Sequence, residues 1–135
     1  GTRVENPRQV SAWRYPRQYG RTPPSFARAT RLPDDDVLAI SGTAAVVGHA
    51  SAHAEDIDAQ LEETARNLDA LLAAGELPPG FGRDASLKVY VRHPEHAQAV
   101  RTFAATRWPD APVLLVQGDI CRAELLVEID GWRYR

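Results

Sequence analysis

The chain predicts an α+β domain with element order βββαβαββ, one mixed sheet carrying two helices on one face. Three stretches predict it. Ile57, Leu61, Ala65, Leu68, Leu71 and Leu72 recur at helical spacing, with Glu55, Asp56 and Asp58 at the start, where the helix dipole favours acids. Ala85 to Arg92 alternates cleanly, setting Leu87, Val89 and Val91 against Lys88, Tyr90 and Arg92, as in a strand with one apolar side. Gly118 to Trp132 is rich in branched apolar residues between glycines and reads as the closing strand.

In chain order, Gln9 to Tyr15 alternates loosely through Val10, Trp13 and Tyr15 and is expected to be a first strand ended by Pro16, so that residues 1–20 form an N-terminal arm and first strand. Arg17 to Pro24, with Gly20, Pro23 and Pro24, is a loop. Ser25 to Arg31 gives a second strand with Phe26, on which Arg28 and Thr30 share a face. Pro33 with Asp34, Asp35 and Asp36 makes a hairpin turn into a third strand, Val37 to Ser41, which Ala44 to Val47 can continue. Gly42 and Thr43 mark a bend or a close approach. His49 to Asp56 is a loop into the long helix, whose other side, Glu62, Glu63, Arg66 and Asp69, faces solvent. Gly75 caps that helix, and Pro78, Pro79 and Gly80 follow. After the alternating strand, Pro94 opens a second helix with Ala97, Val100, Phe103 and Ala104 inward, ended by Trp108-Pro109. Pro112 to Val116 is a buried strand before the closing one.

The closing stretch concentrates the chemistry. It holds Arg122, Glu124 and Glu128 at one parity and the only cysteine, Cys121, at the other. A regular strand would put the three charges on one side, a costly arrangement unless they are paired or used. Cys121 and Glu128 can share a cavity only through a bulge or if Cys121 precedes the strand, and the second arrangement is expected. Tyr90 and Arg92 join these charges on the side the helices leave open, which favours a partner subunit there and a site at the seam.

Composition narrows the function. The 135 residues are expected to form a single domain, and one cysteine allows no internal disulfide, consistent with a reducing, cytoplasmic setting. No apolar run approaches the roughly 18 residues of a membrane helix, so no membrane role is expected. The chain starts at Gly1 and lacks methionine, so residue 1 reads as a processed or engineered start, of either a fragment of a longer protein or a standalone domain. Seven arginines and one acid, Glu5, lie between Gly1 and Pro33, while ten acids lie between Asp34 and Glu76. Fifteen of the sixteen basic residues are arginine, which suits two-pronged capture of a carboxylate or phosphate, so an anionic ligand is expected near the N-terminal segment. The acidic second quarter opposes a nucleic-acid footprint. His49 with His53 and His93 with His96 lack a third ligand, so no metal is expected. Neither a nucleotide-binding loop nor a serine triad for Ser25 or Ser41 is present, and no cofactor is expected.

Longer patterns carry a resemblance. The strand order, Gly20 to Ala29, Ser41-Gly42-Thr43, Ala59-Gln60-Leu61 with Asn67-Leu68, and Cys121-Arg122 ahead of a last strand resemble the RidA/YjgF fold. That resemblance implies a homotrimer with clefts between neighbours and an arginine gripping a carboxylate, a position that Arg122 matches. Val4 to Ala12, Arg14 to Gly20, Pro24 to Ala29, Ser41 to Ala44 with Val47-Gly48-His49, and Asp119 to Ile129 are more specifically similar to the C-terminal catalytic half of chorismatases, proteins typically more than twice this length.

This second resemblance implies cofactor-independent cleavage of chorismate, a dianion with an enolpyruvyl ether, releasing pyruvate. It assigns Glu128 as the general acid, which requires a carboxyl kept protonated by burial. Gly42 and Cys121 match the pair accompanying the branch that forms 3-hydroxybenzoate, in which the substrate's own hydroxyl displaces pyruvate. The other branch adds water and leaves a dihydroxycyclohexadiene carboxylate. Arg122 and Arg92 are candidate carboxylate clamps, and Tyr90, Tyr19 or Tyr15, and Glu124 candidate substrate contacts. Two alternatives stand beside it: a RidA-like imine/enamine deaminase, and a non-catalytic trimer binding a small carboxylate.

Overall fold

A computed structural model describes residues 1–33 and 36–135. The expected hairpin turn at Pro33 to Asp36 includes Asp34 and Asp35, which lie outside the described residues. Among the described residues the strands and α-helices follow in order: β1 Thr2–Val4, β2 Ala29–Leu32, β3 Val37–Thr43, β4 Val46–Val47, β5 Ala50–Ser51, α1 Ile57–Ala74, β6 Ala85–Val91, α2 Ala97–Arg107, β7 Val113–Gln117 and β8 Val127–Tyr134. Six strands form one sheet in the order β1-β2-β3-β8-β6-β7, and β4 with β5 makes a separate small hairpin. Within the described sheet β6 and β7 pair in parallel, joined by the α2 crossover, and the other pairs are antiparallel, so the sheet is mixed. Without the small hairpin the order is the expected βββαβαββ.

Both helices pack on one side of the sheet. Leu61, Ala65, Leu68, Leu71 and Leu72 of α1 and Val100 and Ala104 of α2 share one apolar cluster with alternate residues of the sheet, including Leu38, Ile40, Leu87, Val89, Val91, Val127 and Ile129. Each fully buried leucine or isoleucine contributes about 1.5–3 kcal/mol. Helix α1 starts where Asp56 Oδ1 accepts the Ala59 N–H at 3.0 Å, and ends where the Gly75 N–H reaches the Leu71 carbonyl at 3.0 Å. Among the described residues, no helix is long and apolar enough to cross a membrane.

Several expectations are corrected. Gln9 to Tyr15 is not a strand: the segment makes a single-turn 3-10 helix at Ala12–Arg14, and the first strand is β1. Strand β2 begins at Ala29 rather than Ser25. The expected loop after Val47 contains β5, which closes the small hairpin. A 3-10 turn, Pro94–His96, precedes α2. Strand β7 is an edge strand rather than a buried one, with Leu114 61 % exposed. The closing strand begins at Val127, not near Gly118, so Arg122 and Glu124 sit in the irregular segment that leads into it, while Cys121 precedes the strand as expected.

Helix α1 also buries a polar stripe, of which Glu63 was expected to face solvent. Gln60, Glu63, Thr64 and Asn67 are all buried. Gln60 is satisfied in full: its amide donates to the carbonyls of His53 at 3.1 Å and Glu124 at 2.8 Å, and its oxygen accepts the Leu126 N–H at 2.8 Å. Asn67 Nδ2 donates to the carbonyls of Ala44 at 2.9 Å and Val46 at 3.0 Å. These two amides pin the small hairpin and the 119–126 segment to the rigid helix, and both segments border the site.

Candidate active site

The sheet's other side carries a cleft of about 630 Å³. Its floor is Ser41 and Gly42 of β3 with Glu128 of β8. The arm supplies one wall through Gln9, Tyr15, Gln18, Tyr19, Pro24, Phe26 and Arg28, and Ala44, Val46, Cys121, Arg122 and Leu125 supply the other. All of these lining residues come from one chain.

Glu128 is carried by an interior strand, since β8 pairs with β3 on one side and β6 on the other. Between the Ile40–Gly131 and Thr43–Ile129 pairs, β3 gains a residue, so Ser41 and Gly42 together face Asp130 in a bulge. The bulge brings Gly42 against the Glu128 carboxyl group: a Cβ at residue 42 would lie 2.7 Å from Glu128 Cδ. Among the described residues no hydrogen bond or ion pair holds this carboxyl. Burial, and then the nearby charge of Asp130, raise its pKa above the ordinary value.

Two arginines line the same cleft. Arg28 is buried, its Nη2 donating to the Val10 carbonyl at 2.8 Å and the Tyr15 hydroxyl at 2.5 Å, while its buried Nε finds no protein partner among the described residues. Phe26 and Tyr15 lie 5.0 and 5.5 Å from its guanidinium carbon. Arg122 stacks on Tyr19, with its guanidinium carbon 3.9 Å from the ring centroid, and its Nη1 donates to Ser51 Oγ at 3.1 Å. Such aromatic backing holds a cation in place at about 0.5–2 kcal/mol without neutralising it. The thiol of Cys121 is pushed up by surrounding atoms and then by Glu128, so it lines the cleft as a neutral side chain rather than as a thiolate.

The structure thus brings Glu128, Gly42, Cys121, Arg122 and Tyr19 together, and sets Arg92, Tyr90 and Glu124 outside the cleft. Arg92 Nε and Nη2 donate to the carbonyls of Leu125, Ile120 and Arg122 at 2.7–2.9 Å, so its guanidinium holds the 119–126 segment rather than facing the cleft. Tyr90 packs against the cluster of Ala44, Ala45, Val46, Ile120 and Leu125, with Lys88 Nζ 5.0 Å from its ring. Glu124 accepts the Ser51 hydroxyl at 2.9 Å, and its carboxyl is held below the ordinary range first by its own backbone N–H and then by that hydroxyl. Sequence reasoning missed Arg28, Gln9 and Gln18 as cleft residues. The excess of arginine before Pro33 pointed to the segment but not to the member that folds inward. Among the described residues no group of three or more His, Cys, Asp or Glu is placed to hold a metal ion.

No family model matches the sequence. The chain is 42 % identical over 142 residues to a 3-hydroxybenzoate synthase of Streptomyces hygroscopicus, an alignment covering 95 % of this chain and 42 % of that protein. It is 42 % identical over 140 residues to a chorismatase of Streptomyces rapamycinicus, with the same coverage of each. The chain therefore spans about two fifths of the length of these relatives. In three dimensions it matches a chorismatase crystal structure with a TM-score of 0.88 at 37 % identity, over 98 % of this chain and 43 % of that one. RidA from an Antarctic Psychrobacter matches with a TM-score of 0.77 at 15 % identity over the whole of both chains, a likeness of fold alone. Sequence and fold agree across nearly every residue of this chain, so it resembles the matched two fifths of these chorismatase relatives and has a RidA/YjgF-like fold.

Proposed function

We propose that this domain is the catalytic part of an enzyme that cleaves chorismate and releases pyruvate without a cofactor, with Glu128 as the general acid. The observation that carries the proposal is the Glu128 carboxyl itself: half-buried, unpaired among the described residues, raised in pKa, and set in a cleft with two arginines. A carboxyl that keeps its proton to higher pH can give it to a weakly basic carbon. Glu128 protonates the methylene of the enol ether, and the resulting cation at the ether carbon collapses to pyruvate as the ring–oxygen bond breaks. Arg28 and Arg122 each take one carboxylate of the dianion, leaving the two charges apart and the ring over Gly42. The 3-hydroxybenzoate branch is favoured by Gly42 and Cys121 on the same cleft. There the substrate's hydroxyl displaces pyruvate, and the two products account for every atom of chorismate, so no water is consumed.

A homotrimer and a cytoplasmic setting complete the reading. The sheet side that the helices leave open exposes Trp132 and Tyr134 at 47 and 51 %, which a neighbouring copy would cover, and the lone thiol suits a reducing compartment. The test is incubation with chorismate, reading pyruvate and 3-hydroxybenzoate in stoichiometric amounts, alongside Glu128→Gln. Pyruvate formation unchanged in that variant would remove Glu128 from the mechanism. Hydrolysis of 2-iminopropanoate that persists without Glu128 would favour the deaminase reading.

A further inference from the structure

We propose that Ser51 is a positioning residue that keeps the Arg122 guanidinium free and aimed into the cleft, by standing between it and the carboxylate of Glu124. The inference rests on the reading of Arg122 as a carboxylate clamp. A serine hydroxyl has one proton to give and lone pairs to receive with. Glu124, an acceptor, takes that proton at 2.9 Å, which turns a lone pair toward Arg122 Nη1 at 3.1 Å. The order Glu124, Ser51, Arg122 is therefore fixed by hydrogen-bond polarity. Among the described residues Arg122 and Glu124 form no direct ion pair, although one link separates them. A direct, two-pronged pair would occupy the guanidinium that an incoming anion needs. With the hydroxyl interposed, a single side-chain hydrogen bond engages one of the five guanidinium N–H donors among the described residues, and the others remain available to an anion.

The small hairpin also fixes the guanidinium's flat side. His49, in the turn between β4 and β5, has Nδ1 3.2 Å from the Tyr19 hydroxyl, and Tyr19 is the ring on which Arg122 stacks. Strand β5 thus meets the edge of Arg122 through Ser51, and the adjoining turn meets its face through Tyr19. Asn67 in turn holds the hairpin to α1 through the carbonyls of Ala44 and Val46. This gives the two-residue strands a purpose that their length does not suggest.

The experiment has two arms on the full chain. In the first, the Arg122 Nε–H resonance, displaced by the Tyr19 ring, is followed without ligand. Ser51→Ala moves it toward the value of a solvated arginine, and Ser51→Thr, which keeps the hydroxyl, leaves it near the wild-type position. An unmoved resonance in Ser51→Ala overturns the proposal whatever the enzyme does. The second arm reads KM for chorismate and the Kd for 3-hydroxybenzoate. Ser51→Ala raises both about three- to ten-fold with kcat within about two-fold, Ser51→Thr restores them, and the effect vanishes in an Arg122→Ala background. An equal effect in that background overturns positioning through Arg122. If instead Arg122→Ala leaves both constants unchanged while the first arm succeeds, the clamp reading fails and the positioning stands.

Discussion

Gly42 and Glu128 touch: the space that a side chain at residue 42 would need is already filled by the Glu128 carboxyl, whose three heavy atoms lie 2.7–2.9 Å from where a Cβ would stand. The glycine is required by this close approach, not by its backbone conformation. Gly42→Ala therefore displaces the flexible end of Glu128 and leaves the sheet intact. Displacement of the proton donor by about 1 Å is expected to lower kcat for pyruvate release by roughly 10- to 100-fold. Thermal unfolding of the variant, read by circular dichroism, is expected to stay within about 1 kcal/mol of the parent, as for a substitution that strains no core packing.

The raised pKa of Glu128 gives activity and stability the same pH sense. As a general acid it works while protonated, so kcat is highest on the acid side and falls as pH rises through its folded-state pKa. Folding obeys the same proton: the folded state holds it to higher pH than the unfolded chain does, so stability falls as pH rises from the ordinary carboxylate value to the raised one. Glu128→Gln is expected to lower turnover by about 10²–10⁴-fold and to flatten both pH dependences. A turnover limb that survives in this variant would assign the titration to another group.

Arg92 holds three carbonyls of the segment that carries Cys121 and Arg122. Lysine cannot reproduce that planar set of donors, so Arg92→Lys behaves as a disruptive change. About 1–3 kcal/mol of stability is expected to be lost, because buried carbonyls go unpaired, together with a rise in KM as Arg122 loses its support. Denaturant titration and steady-state kinetics on the same preparation check both.

The pair of Arg8 and Glu63 closes the arm onto α1, with Arg8 Nη1 also donating to Asn67 Oδ1 at 2.9 Å and His53 Nε2 3.1 Å from Glu63 Oε1. The Arg8 hydrogen bond is the foremost cause that holds the Glu63 carboxyl below its ordinary pKa. Its stabilisation is present above the unfolded-state carboxylate pKa and disappears as pH falls through the lowered folded value. Arg8→Ala is expected to cost about 2–3 kcal/mol near neutral pH and progressively less in acid, as urea midpoints across pH would show.

The two helices and the β6 strand were legible because their burial is periodic: a side chain every third or fourth residue of α1, or every second of β6, meets the same core. The early segment from Gln9 to Tyr15 was misread because Val10, Trp13 and Tyr15 lie in and around a 3-10 turn, where Trp13 is exposed and meets the Arg3 guanidinium, so their loose alternation does not record a sheet face. Leu125 and Leu126 misled ahead of β8, being buried by neighbouring loops and by Gln60 rather than by strand pairing. Strands β4 and β5, two residues each, are too short to show any period. At the site, Gly42, Cys121, Arg122 and Glu128 were readable from motif similarity. Arg28 was not, because which arginine of seven is buried depends on where the arm crosses the sheet, and no local pattern records that.

Glu128 and Arg122 are separated by a boundary of cooperativity. The carboxyl rides on a strand bonded on both sides, whereas the guanidinium rides on an irregular segment held by Arg92, Gln60 and Ser51. Amide hydrogens of β8 should therefore exchange only with global unfolding, and those of residues 119–126 by a smaller, earlier opening. Warming the protein would release the grip on the anion while the proton donor is still in place, so substrate affinity would fade at temperatures where the fold itself still reads as native.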